Sequence, residues 1–212
     1  MRKLLALPQI SSLERLSLYA STIAFQWVFA AVAAWRAWAR GLGAADLGIT
    51  LSDPRRIGIA AAAGAILLAA FQWFNLRRMG RTPQAPRETP LRLARLILPR
   101  TEVEKLAYFA LAVTAGVCEE LLYRGFAMAA FTRAGLPAWA ALGATALLFG
   151  SAHLYQGRTG VSTTVAFGFV FGVARIVYDS LAPVVIWHAS VDLLGGLLGA
   201  RFLLRNGNEP SS

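Results

Sequence analysis

The sequence is poor in cysteine, in histidine and in charged residues. It has 212 residues, of which one is cysteine, two are histidine and only 15% are Asp, Glu, Lys or Arg. A single cysteine, Cys118, excludes an intrachain disulfide and a cysteine-based zinc knuckle. A soluble domain carries about 25% charged residues. The low charge, together with 57% apolar residues, therefore favours a chain that lies in lipid.

Apolar runs of about 20 residues recur along the chain, and each predicts a membrane-spanning helix. We expect six segments, at about 16–35, 57–76, 103–131, 137–155, 161–178 and 183–204. The third segment is long enough to be one tilted helix or two pieces. If it is split, and if an interfacial helix is added, the count rises to seven or eight. The predicted fold is an all-α, polytopic transmembrane helical bundle.

Residues 77–100 are basic, with seven arginines, four prolines and Glu88 as the single acid. Lys and Arg accumulate in the cytoplasmic loops of membrane proteins. We therefore expect a multi-pass protein of the cell membrane with both termini in the cytoplasm, and with residues 91–98 on the anionic membrane surface. The net charge of +10 is explained by arginines between apolar runs, so no nucleic-acid partner is expected.

Ionisable side chains lie inside the apolar segments, where a charge at the bilayer centre costs about 2.5–3.5 kcal/mol. They are Glu119, Glu120, Arg124, His153, His188 and Asp192. The four-residue spacing predicts that Glu120 pairs with Arg124 and that Asp192 orients His188. Phe149 and His153 also share a helix face. Glu119 is rotated by about 100° from Glu120 and has no evident charge partner.

Two classes of function could use such buried charges. One is an enzyme; the other is a non-enzymatic membrane transporter or scaffold. A transporter often has paired halves with interrupted helices, and no such symmetry is visible, so the enzyme is favoured. Cys118 could act as a nucleophile beside a histidine base, but a buried cysteine usually behaves as a small hydrophobe.

Three short motifs in the second half of the chain resemble those of the CAAX protease and bacteriocin-processing (CPBP, or Abi) family. Glu119-Glu120-Leu121-Leu122-Tyr123-Arg124 is similar to the family's EExxxR, Phe149 to His153 to its FxxxH, and His188 to Asp192 to its HxxxN/D. The similarity covers residues 101–204. It implies an intramembrane endopeptidase that acts on membrane-associated or lipid-modified proteins or peptides.

The resemblance also implies roles for individual residues. Glu119 and His153 would activate water, while His188 and position 192 would stabilise the oxyanion. Glu120 and Arg124 would hold the helix of Glu119 in place. Many family members have asparagine where Asp192 stands. An ionised aspartate only accepts hydrogen bonds, so Asp192 fits better as the group that orients His188, or as a metal ligand.

Two chemistries stay open at the level of sequence. Glu119 and His153 could activate water without a metal, or Zn²⁺ could be bound by Glu119, His153 and His188, which is a known His₂Glu ligand set. No His-Glu-x-x-His stretch exists, which excludes a zincin-type site. We divide the chain into two membrane helices with the basic loop (1–100), a catalytic helical core (101–205) and a disordered tail (206–212). The expected partners are the lipid bilayer and a membrane-associated substrate.

One geometric difficulty accompanies this interpretation. The fourth and sixth segments run in the same direction, yet His153 falls late in its segment and His188 falls early. At 1.5 Å per residue the two histidines would be offset by roughly 15 Å. We therefore expect residues 179–187 to dip into a protein-lined cavity, which is permitted where lipid is excluded.

Overall fold

The computed structural model describes residues 10–79 and 96–203, which form a bundle of long helices without a strand. The helices are α1 (Ser12–Trp38), α2 (Pro54–Met79), α3 (Glu102–Arg133), α4 (Ala138–Ala152), α5 (Gly157–Tyr178) and α6 (Ala182–Leu203). Within the described ranges, five of them contain stretches long and apolar enough to cross a membrane, and α4 is shorter. The predicted all-α, multi-pass bundle is confirmed.

Two helices begin at capping boxes, in which a side chain and a backbone amide satisfy each other. Ser11 accepts a hydrogen bond from the backbone N–H of Glu14 at the start of α1, and the Glu14 carboxylate accepts one from the N–H of Ser11. Thr101 and Glu104 do the same at the start of α3. These caps fix where α1 and α3, two of the helices that line the site, begin.

The third predicted segment is one continuous helix, α3, rather than two pieces. Its middle part, Leu121–Ala127, has the wider π-helical hydrogen-bond pattern. Such π segments within α-helices are rare and are often found at functional sites. Arg124 lies within this segment and Glu120 directly before it, so the irregular turn coincides with the first sequence motif.

Close contacts between helix backbones position α6 against α3. A Cβ atom on Gly116 of α3 would lie 2.9 Å from the carbonyl oxygen of Val185 in α6. Farther along α3, a Cβ on Gly125 would lie 3.4 Å from the Leu181 side chain, which directly precedes α6. These contacts set the register of the two antiparallel helices, because a larger side chain at Gly116 would force them apart.

The predicted dip of residues 179–187 is only partly observed, since α6 is helical from Ala182. Residues 179–181 form a turn in which Ser180 and Leu181 are enclosed by protein. The two histidines lie at the same height because α4 and α6 begin at different heights. Gly125 in α3 is level with Leu181 at the start of α6, and α3 continues beyond Gly125 for eight more residues, about 12 Å, before α4 begins. His153 lies about 22 Å along α4 and His188 about 9 Å along α6, so this difference of about 12 Å between the two helix starts removes the offset.

Some predictions concern residues outside the described ranges. The disordered tail (206–212) is one, and most of the basic loop (77–100) is another. The division of the chain into domains and the cytoplasmic side of the termini stay predictions.

Candidate functional site

Four of the six predicted site residues line one cavity of about 550 Å³ between α1, α3 and α6 and the end of α4. They are Glu119, His153, His188 and Asp192. Its other lining residues are Leu18, Tyr19, Thr22, Gln26, Ile97, Tyr108, Leu111, Ala115, Tyr155, Gln156 and Gly160. The structure therefore brings the three motifs together, although they are far apart along the chain.

Behind the cavity lies a buried charge network built on Glu120. One carboxylate oxygen, Oε1, accepts from Nη1 of Arg124 at 2.8 Å and lies 2.7 Å from Nδ1 of His188. Glu120 is fully buried and Arg124 is 1% exposed. The predicted pair between Glu120 and Arg124 is confirmed. Since an ionised carboxylate only accepts, Nδ1 of His188 carries a proton that it donates to Glu120.

Glu119, one residue before Glu120 in α3, faces the cavity. Its Oε1 accepts from the side-chain amide of Gln26 at 2.8 Å. Its Oε2 is buried, lies 3.8 Å from Nε2 of His188 and has no hydrogen-bond partner among the described residues. A buried carboxylate oxygen without a partner is costly. This atom is therefore the place where a water molecule or a substrate group would bind.

His153 ends α4 and is held by its own helix. Its Nδ1 lies 2.8 Å from the carbonyl oxygen of Phe149, so Nδ1 carries the proton and donates it. In the neutral ring Nε2 is then an acceptor, and the His153 side chain lines the cavity. The Phe149 ring packs edge-on against His153 at 4.8 Å between centroids, which confirms the predicted contact. The same ring lies 5.8 Å from His188 and 4.3 Å from the guanidinium of Arg124, so Phe149 links both histidines to the charge network.

Asp192 lies on the opposite side of the His188 ring from Glu120. Its Oδ2 is 3.6 Å from Nε2 of His188, longer than a hydrogen bond but within the range of an ion pair. The short contact that orients His188 is therefore made by Glu120, at Nδ1, and Asp192 adds a negative charge beside Nε2. Together with Glu119, three carboxylates surround this imidazole ring.

Residues 102–194 match a family described as "Type II CAAX prenyl endopeptidase Rce1-like". The chain carries a Rce1-like CAAX protease domain. The matched range contains all three motifs and ends two residues after Asp192, whereas α1 and α2 lie outside it. No curated protein and no solved structure matches the chain. Membership of this family implies an intramembrane protease.

Cys118 does not face the cavity of the Rce1-like domain. It precedes Glu119 in α3, is 2% exposed and is not among the cavity-lining residues. A thiol in this position packs as a small apolar side chain.

The metal-ligating side chains of the Rce1-like domain can be compared with the needs of a zinc ion. Within residues 10–79 and 96–203, no group of three or more His, Cys, Asp or Glu side chains is arranged to hold a metal. The side chains as placed do not form such a ligand group, and the proposed mechanism uses no metal. The zinc site at Glu119, His153 and His188 stays a prediction.

Sequence reasoning missed the contribution of α1, and above all Gln26. An amide in the middle of an otherwise apolar helix is the signal that could have found it, because a polar group in lipid needs a partner. Tyr108 and Tyr155 also line the cavity, and the Tyr108 hydroxyl donates to the backbone carbonyl of Asp192 at 3.2 Å. Neither tyrosine belongs to a motif, so only the fold brings them to the site.

Proposed function

We propose that this protein is an intramembrane endopeptidase that hydrolyses a peptide bond of a membrane-associated or lipid-modified substrate with water activated by Glu119. The observation that carries this proposal is the cavity, in which Oε2 of Glu119 is buried without a hydrogen-bond partner among the described residues, in a lining that includes two histidines and Asp192. Peptide hydrolysis needs an activated water, stabilisation of the oxyanion and an acid for the leaving amine. The cavity offers groups for each.

Water activation uses two acceptors. Oε2 of Glu119 and Nε2 of His153 are both available, since the other carboxylate oxygen and the other ring nitrogen already have partners. A water bound between them donates one hydrogen to each. Glu119 takes the proton as the water oxygen attacks the scissile carbonyl carbon.

Charge stabilisation uses His188. With Nδ1–H donated to Glu120, an imidazolium ring presents its Nε2–H to the cavity. The two carboxylates near Nε2, Glu119 and Asp192, favour this cationic form. The Nε2–H then donates to the oxyanion that develops on the carbonyl oxygen.

Collapse of the tetrahedral intermediate completes the reaction. The C–N bond breaks, and the leaving nitrogen takes the proton that Glu119 received from water. The products are a carboxylic acid and an amine, which become a carboxylate and an ammonium group when the acid proton passes to the amine, and Glu119 returns to its ionised state. His153 holds the water through Nε2, while its Nδ1–H donates to the Phe149 carbonyl.

The matched family is described as a CAAX prenyl endopeptidase. A prenylated CAAX substrate comes to the present chain as part of the proposal. The test uses the purified full chain in lipid vesicles with three quenched fluorescent peptides: a farnesylated C-terminal CAAX peptide, the same peptide without the lipid, and a membrane-spanning peptide. We expect cleavage of the farnesylated peptide. The proposal is contradicted if none of the three peptides is cleaved.

Glu119→Gln is the variant that tests the mechanism. It keeps the shape of the side chain but removes the base, so kcat should fall by about 10²–10⁴-fold. The matched control is Glu102→Gln in the same helix, where the carboxylate is exposed and pairs only with Lys105 in the described structure. The control should keep wild-type activity. An active, folded Glu119→Gln protein would exclude Glu119 as the base.

The metal alternative has its own measurement. If zinc takes part, the purified protein should bind about one ion per chain, as in a catalytic His₂Glu site, and chelation should abolish activity until zinc is restored. Under the mechanism proposed here, activity should survive chelation, because Glu119 and His153 activate water without a metal. Loss on chelation and recovery with zinc would replace the metal-free mechanism.

A further inference from the structure

The wall of the cavity formed by α1 lies outside the Rce1-like range. Four residues of α1 line the cavity: Leu18, Tyr19, Thr22 and Gln26. Their spacing of three and four residues puts them on one helix face. The neighbours of Gln26 are apolar and exposed on the surface of the bundle, where lipid would lie, as at Phe25 and Trp27. Gln26 is thus a polar residue that an otherwise apolar helix presents to the site.

The contact that Gln26 makes is specific. Its Nε2 lies 2.8 Å from Oε1 of Glu119, across a separation of 93 residues in the chain. An ionised carboxylate accepts only, so the amide nitrogen and not its oxygen faces Glu119. This hydrogen bond occupies one carboxylate oxygen and leaves the other, Oε2, directed at His188 and the cavity.

We infer that Gln26 is a positioning residue for Glu119, so that α1 completes the active site that residues 102–194 begin. This inference rests on the proposed role of Glu119 as the base. Without the amide, the carboxylate can rotate about its side-chain torsions, and Oε1 and Oε2 become equivalent. With it, a single oxygen is held toward the bound water. A displacement of about 1 Å of a reacting group can cost about 10²-fold in rate.

A neutral amide suits this task better than a charged side chain would. A lysine or arginine at position 26 would form an ion pair with Glu119 and weaken it as a base. A second carboxylate would repel it or share its proton. Glutamine fixes the geometry of the carboxylate without neutralising its charge, which is what a base near three other ionisable groups requires.

The test compares Gln26→Met, which keeps the length of the side chain but cannot donate, with Ser21→Ala as the control in the same helix. Ser21 is exposed, is not among the cavity-lining residues, and its hydroxyl donates to the Leu18 carbonyl of its own helix. With the farnesylated peptide, Gln26→Met should lower kcat by about 10–100-fold and leave KM within about twofold. Ser21→Ala should leave both constants nearly unchanged.

The melting temperature distinguishes a positioning role from a purely structural one. If Gln26 positions Glu119, the melting temperature of Gln26→Met should stay within about 3 °C of wild type, because one interhelical hydrogen bond contributes little to the stability of a membrane bundle. A fall in melting temperature with an unchanged kcat would overturn the inference, and so would an equal loss of kcat in Ser21→Ala.

Gln26→Asn gives a second, independent reading, because it keeps the amide but is one methylene too short to reach Glu119. Its kcat should fall as in Gln26→Met, and a wild-type kcat would contradict the inference. Failure here is distinguishable from failure of the proposed function. If Glu119→Gln is inactive while both Gln26 variants are fully active, Glu119 remains the base and only the positioning role is wrong. If Glu119→Gln is active, the proposed function itself fails.

Discussion

Two buried Arg–Glu pairs in the same bundle have nearly the same length but opposite surroundings. Arg15 and Glu104 join α1 to the start of α3 at 2.9 Å, and Arg124 and Glu120 lie within α3 at 2.8 Å. Both pairs are almost completely buried. What differs is how completely their remaining donors and acceptors are satisfied.

Around Arg15 and Glu104 every side-chain nitrogen and oxygen atom has at least one partner. Nε and Nη2 of Arg15 donate to the backbone carbonyls of Leu96 and Ile10, and the second oxygen of Glu104 accepts from the N–H groups that precede α3. Around Arg124 and Glu120 the opposite holds. Nε and Nη2 of the arginine and Oε2 of the glutamate are buried without a hydrogen-bond partner among the described residues.

This difference separates a structural ion pair from one that belongs to a reaction site. A fully satisfied buried pair holds two elements together and has no capacity left for a ligand. The second pair instead contacts a cavity residue, because Oε1 of Glu120 also binds Nδ1 of His188. Removing either arginine should therefore damage the protein, but in distinguishable ways.

The largest combined effect is expected for Arg124→Ala. This change leaves the Glu120 carboxylate buried and unpaired, which should cost about 3–5 kcal/mol of stability. It should also lower kcat, because Glu120 then orients His188 less firmly. Unfolding in detergent and peptide cleavage measure the two effects. Arg133→Ala, at the exposed end of the same helix, is the control and should change neither. An unaltered melting temperature in Arg124→Ala would mean that the pair contributes nothing to the fold.

Arg15→Met should lose stability without losing chemistry. Glu104 would be stranded, again at a cost of about 3–5 kcal/mol. The double variant Arg15→Met/Glu104→Gln removes the stranded charge and keeps an acceptor for the helix cap, so it should recover much of the loss. In both variants kcat per folded molecule should stay within about threefold of wild type, since neither residue lines the cavity. A large fall in kcat at full stability would show that the two pairs are not functionally distinct.

Much of the fold follows from local pattern. Each predicted apolar segment overlaps a helix, because about 20 apolar residues in lipid have no stable alternative to a helix. The pair between Glu120 and Arg124 was predictable for a similar reason, since both residues lie on one helix and their spacing determines the contact. The contact between Phe149 and His153 was predictable in the same way.

Relations between helices were harder to predict. The stagger that levels His153 with His188 depends on the length of α3 beyond Gly125, which periodicity does not encode. The bond from Glu120 to His188 depends on the register of α3 against α6. The wall supplied by Gln26 comes from a helix that carries no motif. Site residues were therefore found as a set, but their partners were not.

The smallest effect is expected at Cys118, which has no place in the mechanism although it precedes the proposed base. A thiol nucleophile needs access to the substrate and a base within hydrogen-bond reach. Cys118 is 2% exposed and lies outside the cavity. Cys118→Ala should keep wild-type kcat and change stability by less than about 1 kcal/mol, because only a small buried atom is lost. Thiol-specific alkylation of the folded protein should likewise leave cleavage of the farnesylated peptide unchanged. A folded but inactive Cys118→Ala protein would revive the thiol mechanism and remove Glu119 from its proposed role. The mildest substitution, Cys118→Ala, is therefore also a direct test of Glu119 as the base.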